Sequence, residues 1–233
     1  MSTCPRRIAG RIAVLPTLAS LFAAAAAASP AGAQYTVKTW GAANSSAVWA
    51  LPASADSPSI AAGGAQHSVV ASRLGRVTAW GDNSRGQCNV PTGMNKVVAL
   101  AAGSNHTLAL TQLSHNSTAS VVAWGDNAFG QCNVPAAAVT SATQIAAGGN
   151  FSMAILSSGS LVAWGDNSFG QTTIPSAAAS ASRIAAGTGH AVAISSSGAV
   201  VAWGNNSHGQ CTVPATATSA SRVAAGERFS VLL

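Results

Sequence analysis

Apolar positions along this chain come in short alternating or β-branched runs, and the spacing of an amphipathic helix is hard to find. Runs such as "SLVAWG" from Ser160, "SRIAAG" from Ser182 and "HAVAISSSG" from His190 are bounded by Gly and Ser, which predicts β-strands joined by tight turns. Gly, Asn and Asp between the runs supply the positive-φ backbone that such turns require. The strands recur. "WGDNSRGQCNVP" begins at Trp80, "WGDNAFGQCNVP" at Trp124, "WGDNSFGQTTIP" at Trp164 and "WGNNSHGQCTVP" at Trp203.

Two markers keep the same time. Trp-Gly pairs begin at residues 40, 80, 124, 164 and 203, and "AAG" begins at Ala61, Ala101, Ala146, Ala185 and Ala224. Five copies of 39–45 residues result, the longest interval being stretched by "LSHNSTAS", which reads as a lengthened loop tip. A period near 40 with three or four short strands suits the blades of a β-propeller. In each copy the Trp (Trp80, Trp124, Trp164, Trp203) ends an apolar strand and is expected to pack between sheets. The Gln (Gln87, Gln131, Gln171, Gln210) is expected to hydrogen-bond backbone between units, and the Pro closes the segment.

These motifs resemble the regulator of chromosome condensation repeat, in the short style of the propeller-type β-lactamase inhibitors. The likeness covers nearly all of residues 35–233; it is specific in the last four copies and degraded in the first, where "WGAANSSAVWALP" lacks the Gly-Gln pair. The resemblance implies an all-β fold, a β-propeller that usually has seven blades and serves protein binding. Five copies leave two architectures open: a closed five-blade ring or part of a seven-blade propeller. "FSVLL" (229–233) matches the first half of "FSMAILSSGSLVAWG", and "YTVKTWG" (35–41) matches the second, so a closed ring would pair the two in one blade.

Composition bounds the function. Charged residues make up 7% of the 233, against roughly 25% in an average soluble domain, which is unlike a helical enzyme. The segment 1–33 has Arg6, Arg7 and Arg11, an apolar Ala/Leu stretch, then Ala31-Gly32-Ala33, and reads as a secretory signal peptide cleaved after Ala33. A membrane anchor fits less well, because Pro16 interrupts the apolar run. Residues 34–233 then form the propeller, in a secreted or periplasmic protein without a stable membrane span. Loss of the three arginines takes the net charge from +6 to +3 with no basic cluster, so nucleic-acid binding has little electrostatic support. The nuclear branch of the repeat family exchanges guanine nucleotide on a small GTPase and binds chromatin; the signal segment and weak charge argue against that role here.

The repeat separates framework from variation. The fifth residue after each Trp is Arg85, Phe129, Phe169 and His208, large and unlike one another at a turn tip. The loops after "AAG" also vary and contribute Asn105, Asn150, Glu227 and Arg228. By the resemblance both sets would line one face and touch a protein partner; covering of the adjoining blade by Phe129 and Phe169 is the competing reading. A lectin-like or glycan-binding propeller, with Trp49, Phe129 and Phe169 stacking on sugars, is the second class of function. Cys88, Cys132 and Cys211 share a position that is Thr172 in the remaining copy, so small buried thiols are expected rather than obligatory bridges or metal ligands. His106 and His190 share a position with Phe151 and Phe229, and His67 lies there with one residue of slippage, which favours packed core histidines over metal ligands. Asp82, Asp126 and Asp166 become Asn205 in the last copy and are accounted for by the turn. No catalytic constellation, cofactor motif or metal site is expected, so the chain reads as a non-catalytic protein-binding module with an unidentified protein partner.

Overall fold

The computed structural model describes residues 58–94, 96–112, 119–217 and 220–233. The segments 1–33 and 35–41 and Trp49 lie outside the described residues. Among the described residues, fourteen strands form five antiparallel sheets, each built from strands consecutive in sequence. The first sheet holds β1 (Pro58–Gly63), β2 (His67–Ser72) and β3 (Val77–Gly81); the second β4 (Val97–Ala102), β5 (His106–Gln112) and β6 (Ala119–Gly125). The third holds β7 (Ala142–Ala147), β8 (Phe151–Leu156) and β9 (Leu161–Gly165); the fourth β10 (Ala181–Ala186), β11 (His190–Ser195) and β12 (Val200–Gly204). Among the described residues the fifth has β13 (Val223–Ala225) and β14 (Ser230–Leu232). The stretched interval shows as a longer β5–β6 pair, registered out to Gln112↔Ala119, and residues 113–118 lie outside the described set.

Each sheet repeats the same register. His67, His106, Phe151 and His190 open the middle strand opposite Gly81, Gly125, Gly165 and Gly204. His67 is therefore in phase with the others, and the apparent slippage sits in the marker: Gly64, not Gly63, is the counterpart of Gly103, since each donates its amide to the carbonyl of its own histidine. A bulge interrupts the first strand at one place in all four three-stranded sheets. In three of them the bulged residue carries a hydroxyl that bonds the middle strand: Ser59 to the Ala71 carbonyl, Thr143 to Ile155 and Ser182 to Ile194.

The first strands of successive sheets pack side by side, and all five sheets send the end of that strand to one small central cavity of about 40 Å³. The main apolar clusters lie between sheets rather than within them. Trp124 packs with Val69 and Ala71 of the sheet before it, Trp164 with Leu108 and Leu110, and Trp203 with Phe151, Met153 and Ile155. A one-turn helix, α1 (Ala136–Ser141), and a 3-10 turn at Ser176–Ala178 follow two of the prolines, and each buries one alanine, Ala138 or Ala178. Neither is legible as a helix, because a single turn has no periodicity to read.

The glycine that ends "AAG" answers to close approach rather than to a left-handed backbone. A Cβ on Gly148 would fall 2.1 Å from Cε1 of Phe151 and 2.5 Å from the Gly187 carbonyl oxygen of the next sheet, and Gly64, Gly103 and Gly187 are hemmed in alike. Gly148→Ala must push two backbones apart, so it is expected to cost on the order of 1–3 kcal/mol, read by urea unfolding. A neutral outcome would show that the axis is looser than these distances imply.

Candidate functional site

The turn after each third strand is built from the inside out. The Trp-Gly glycines take φ of 111°, 106°, 102° and 100°, which lets the chain leave the strand sharply. The next amide then bonds back across the sheet end: Asp82 to the Gln66 carbonyl at 2.8 Å, Asp126 to Asn105 at 2.8 Å, Asp166 to Asn150 at 2.9 Å and Asn205 to Gly189 at 2.9 Å. These bonds hold the turn and the "AAG" loop together at one end of the sheet. Asn105 and Asn150 contribute their main-chain carbonyls there.

The glutamines depart from the sequence expectation. Each side chain is buried in its own turn, where Oε1 accepts the amide of the tip residue: Arg85 at 2.9 Å, Phe129 at 2.9 Å, Phe169 at 2.8 Å and His208 at 2.8 Å. Nε2 donates to the carboxylates of Asp82, Asp126 and Asp166 at 2.8, 3.2 and 3.0 Å. What spans the units is the main-chain carbonyl of the glutamine, which accepts the indole N–H of the next sheet: Trp124 on Gln87, Trp164 on Gln131 and Trp203 on Gln171, at 2.9–3.0 Å. Trp80 is buried like the other three tryptophans. Hydrogen bonds from Ser84 hold the Asp82 carboxyl below its usual range.

The tips are therefore fixed from beneath and open above. Phe129 is 51% exposed and Phe169 56%, while Arg85 and His208 are exposed at the corresponding positions. Phe169 also touches the next sheet: a Cβ on Gly189 would lie 3.2 Å from its ring. It lies against the adjoining loop while more than half of its surface remains free. Glu227 and Arg228 pair at 3.3 Å, and Glu227 reaches the central cavity, whose other walls are Gly, Ala, Ser and Thr. A space of about 40 Å³ suits water rather than a substrate.

Cys88, Cys132 and Cys211 are free and partly buried, and each thiol donates at 3.2 Å to the main-chain carbonyl of Asp82, Asp126 or Asn205. Burial raises all three, Cys132 to about 11, so they are poor nucleophiles near neutral pH. Among the described residues no three His, Cys, Asp or Glu side chains gather to hold a metal ion.

The histidines form a pattern that position-by-position reading missed. His67 Nε2 meets the Thr107 hydroxyl at 2.9 Å, His106 meets Ser152 at 3.0 Å and His190 meets Ser230 at 3.0 Å, each on the following sheet. Where the histidine is replaced by Phe151, the following sheet has Ala191 in place of the hydroxyl. Polar meets polar and apolar meets apolar across the four seams between consecutive described sheets. The signal lay in the sequence, as pairs one repeat apart.

Sheets stacked side by side around an axis, with variable loops at one end, define a β-propeller. The chain belongs to the Regulator of chromosome condensation (RCC1) repeat family, whose model matches residues 59–87, 97–131, 142–171 and 181–210. Prp20p from Saccharomyces cerevisiae, characterised for its binding to Gsp1p and histones, is similar in structure with a TM-score of 0.60 and 24% identity, over 74% of this chain and 54% of that one. The ectodomain of the receptor kinase CR4 from Physcomitrella patens gives 0.57 and 28%, over 71% and 46%. The CRINKLY WD40 ectodomain of the receptor kinase ACR4 from Arabidopsis thaliana gives 0.58 and 21%, over 82% and 66%. The match thus spans about half to two thirds of these chains. No curated protein sequence matches this one. Among the described residues no helix is long and apolar enough to cross a membrane.

Proposed function

We propose that the protein is an exported, non-catalytic binding propeller that engages a protein partner through the loop end carrying Arg85, Phe129, Phe169 and His208. The observation that carries this reading is the pair of half-exposed phenylalanines at successive tips, each held by a buried glutamine. Aromatic and arginine side chains presented on a rigid base concentrate binding energy at protein interfaces. Export rests on the character of residues 1–33, and inhibition of an extracellular enzyme is the concrete form the activity would take. A role as a nucleotide exchange factor in the manner of the nuclear branch has less support, since residues 34–233 carry only three excess positive charges.

The joint variant Phe129→Ala/Phe169→Ala tests the reading. Proteins of a culture medium retained by the wild type and by this variant would be compared by quantitative mass spectrometry, with soluble glycans as competitors. At least one protein should be retained roughly tenfold less by the variant, a change worth about 1.4 kcal/mol of binding. Its melting temperature should stay close to that of the wild type. Equal retention overturns the assignment of the tips. Displacement of the retained material by glycans would favour the lectin-like alternative.

A further inference from the structure

The end of the sheets away from the variable loops has a charge of its own. Among the described residues every Asp and Glu, namely Asp82, Asp126, Asp166 and Glu227, stands at the loop end, together with Arg85 and Arg228. The remaining Lys and Arg side chains described, Arg73, Arg76, Lys96, Arg183 and Arg222, are exposed toward the opposite end. They are scattered in the sequence and gathered by the fold. Arg73 and Arg76 belong to the β2–β3 hairpin, where a Cβ on Gly75 would fall 2.9 Å from Cα of Lys96 at the entry to the second sheet. Arg183 faces Ile194 beside the bulge of β10, and Arg222 exchanges both backbone bonds with Leu233 in the same register, so these two hold one position in successive sheets.

The hairpin also carries an apolar tip that the fold does not require. In the first, third and fourth sheets the same turn is closed by the same bond: the amide of Ser72 to the Arg76 carbonyl, Leu156 to Ser160 and Ser195 to Ala199. Gly75, Gly159 and Gly198 take φ of 81°, 83° and 88° in it. The two residues before that glycine are Ser157-Ser158 and Ser196-Ser197 in two copies and Arg73-Leu74 in the other. Leu74 is 95% exposed, more than any other large apolar side chain among the described residues. A turn that two other copies close with serine gives leucine no packing role.

We propose that this end docks on a bilayer of anionic phospholipid, with the cations against the headgroups and Leu74 entering the interface. A soluble polyanion would engage the cations and leave Leu74 in water, whereas a bilayer takes both. The variable loops then face away from the membrane, open to a partner. Co-sedimentation of the full chain with vesicles of phosphatidylglycerol and phosphatidylcholine in equal parts tests this; residues 1–33 are common to every variant, so differences between variants report the hairpin. Arg73→Ser/Arg76→Ser should bind roughly tenfold more weakly at low salt, and Arg73→Lys/Arg76→Lys should keep the wild-type affinity. Leu74→Ser should also lose roughly tenfold on vesicles while binding dextran sulfate as the wild type does. Hydrogen exchange with vesicles present should slow the amides of 73–76 and leave those of 127–130 and 167–170 unchanged. Equal vesicle binding by the serine double variant would overturn the proposal. Wild-type vesicle binding by Leu74→Ser would overturn it in favour of a soluble polyanion, and slowing at the loop tips instead of the hairpin would place the membrane at the wrong end.

Discussion

Lowering the pH from 7 to 4 is expected to remove several kcal/mol of stability, chiefly through His67 and His106. Burial lowers both to about 4 and lowers His190 as well. At the seams of His106 and His190 the serine hydroxyl donates to a glutamine carbonyl, so it must accept from the histidine, which places the proton on Nε2. Nδ1 of His67 and His106 is buried without a hydrogen-bond partner, so a second proton would have nowhere to bond there, while at His190 the Phe229 backbone partly opposes the effect of burial. The nearby carboxylates oppose the shift without cancelling it: Asp82 acts on His67 and Asp126 on His106, while His67 itself adds to the depression at His106. A histidine whose folded value lies below its unfolded value of about 6.5 gives its full stability above pH 6.5 and loses it as the pH falls through 4. The loss at pH 4 is about 3 kcal/mol for each of the two. Urea unfolding across this range checks it. His106→Phe/Ser152→Ala copies the pair that the chain itself uses at Phe151 and Ala191, and should remove about one histidine's share of the pH dependence. An unchanged profile in that variant would place the acid sensitivity elsewhere.

The same seams show what the sequence could disclose. Strands, turns and repeat phase were legible because they follow from local chemistry: β-branched runs, Gly at positive φ, and Asp or Asn accepting nearby amides. The tips were legible because a constant framework isolates whatever varies inside it, as at Arg85, Phe129, Phe169 and His208. Contacts between copies were not legible one residue at a time. The Gln171 side chain closes its own turn and its carbonyl ties the next sheet, roles that composition cannot separate. Gly148 looks like another turn glycine until the Gly187 carbonyl is placed beside it. The first copy was read one residue out of phase, because "AAGG" offers two glycines and only the backbone bond from Gly64 to His67 chooses between them.

Removal of a seam tryptophan is expected to give the largest single loss. Trp164 is 8% exposed and packs with Leu108, Leu110 and Ile145, so Trp164→Ala should cost about 3–5 kcal/mol. The phenylalanine variants separate packing from the hydrogen bond. The Gln131 carbonyl receives both the Trp164 indole at 2.9 Å and the Ser152 hydroxyl at 2.8 Å, so Trp164→Phe leaves it one donor and should cost about 1 kcal/mol or less beyond the packing change. The Gln171 carbonyl receives the Trp203 indole at 2.9 Å, and Ala191 stands where Ser152 stands one sheet earlier. Trp203→Phe therefore strips the side-chain donor from that carbonyl and should cost about 1–3 kcal/mol. The order Trp203→Phe above Trp164→Phe, measured by urea unfolding at pH 7, tests whether indole-to-carbonyl bonds tie successive sheets. Equal losses would show that the indole-to-carbonyl bonds add little to the apolar packing, and the seam histidines would then be the side-chain contacts that set one sheet against the next.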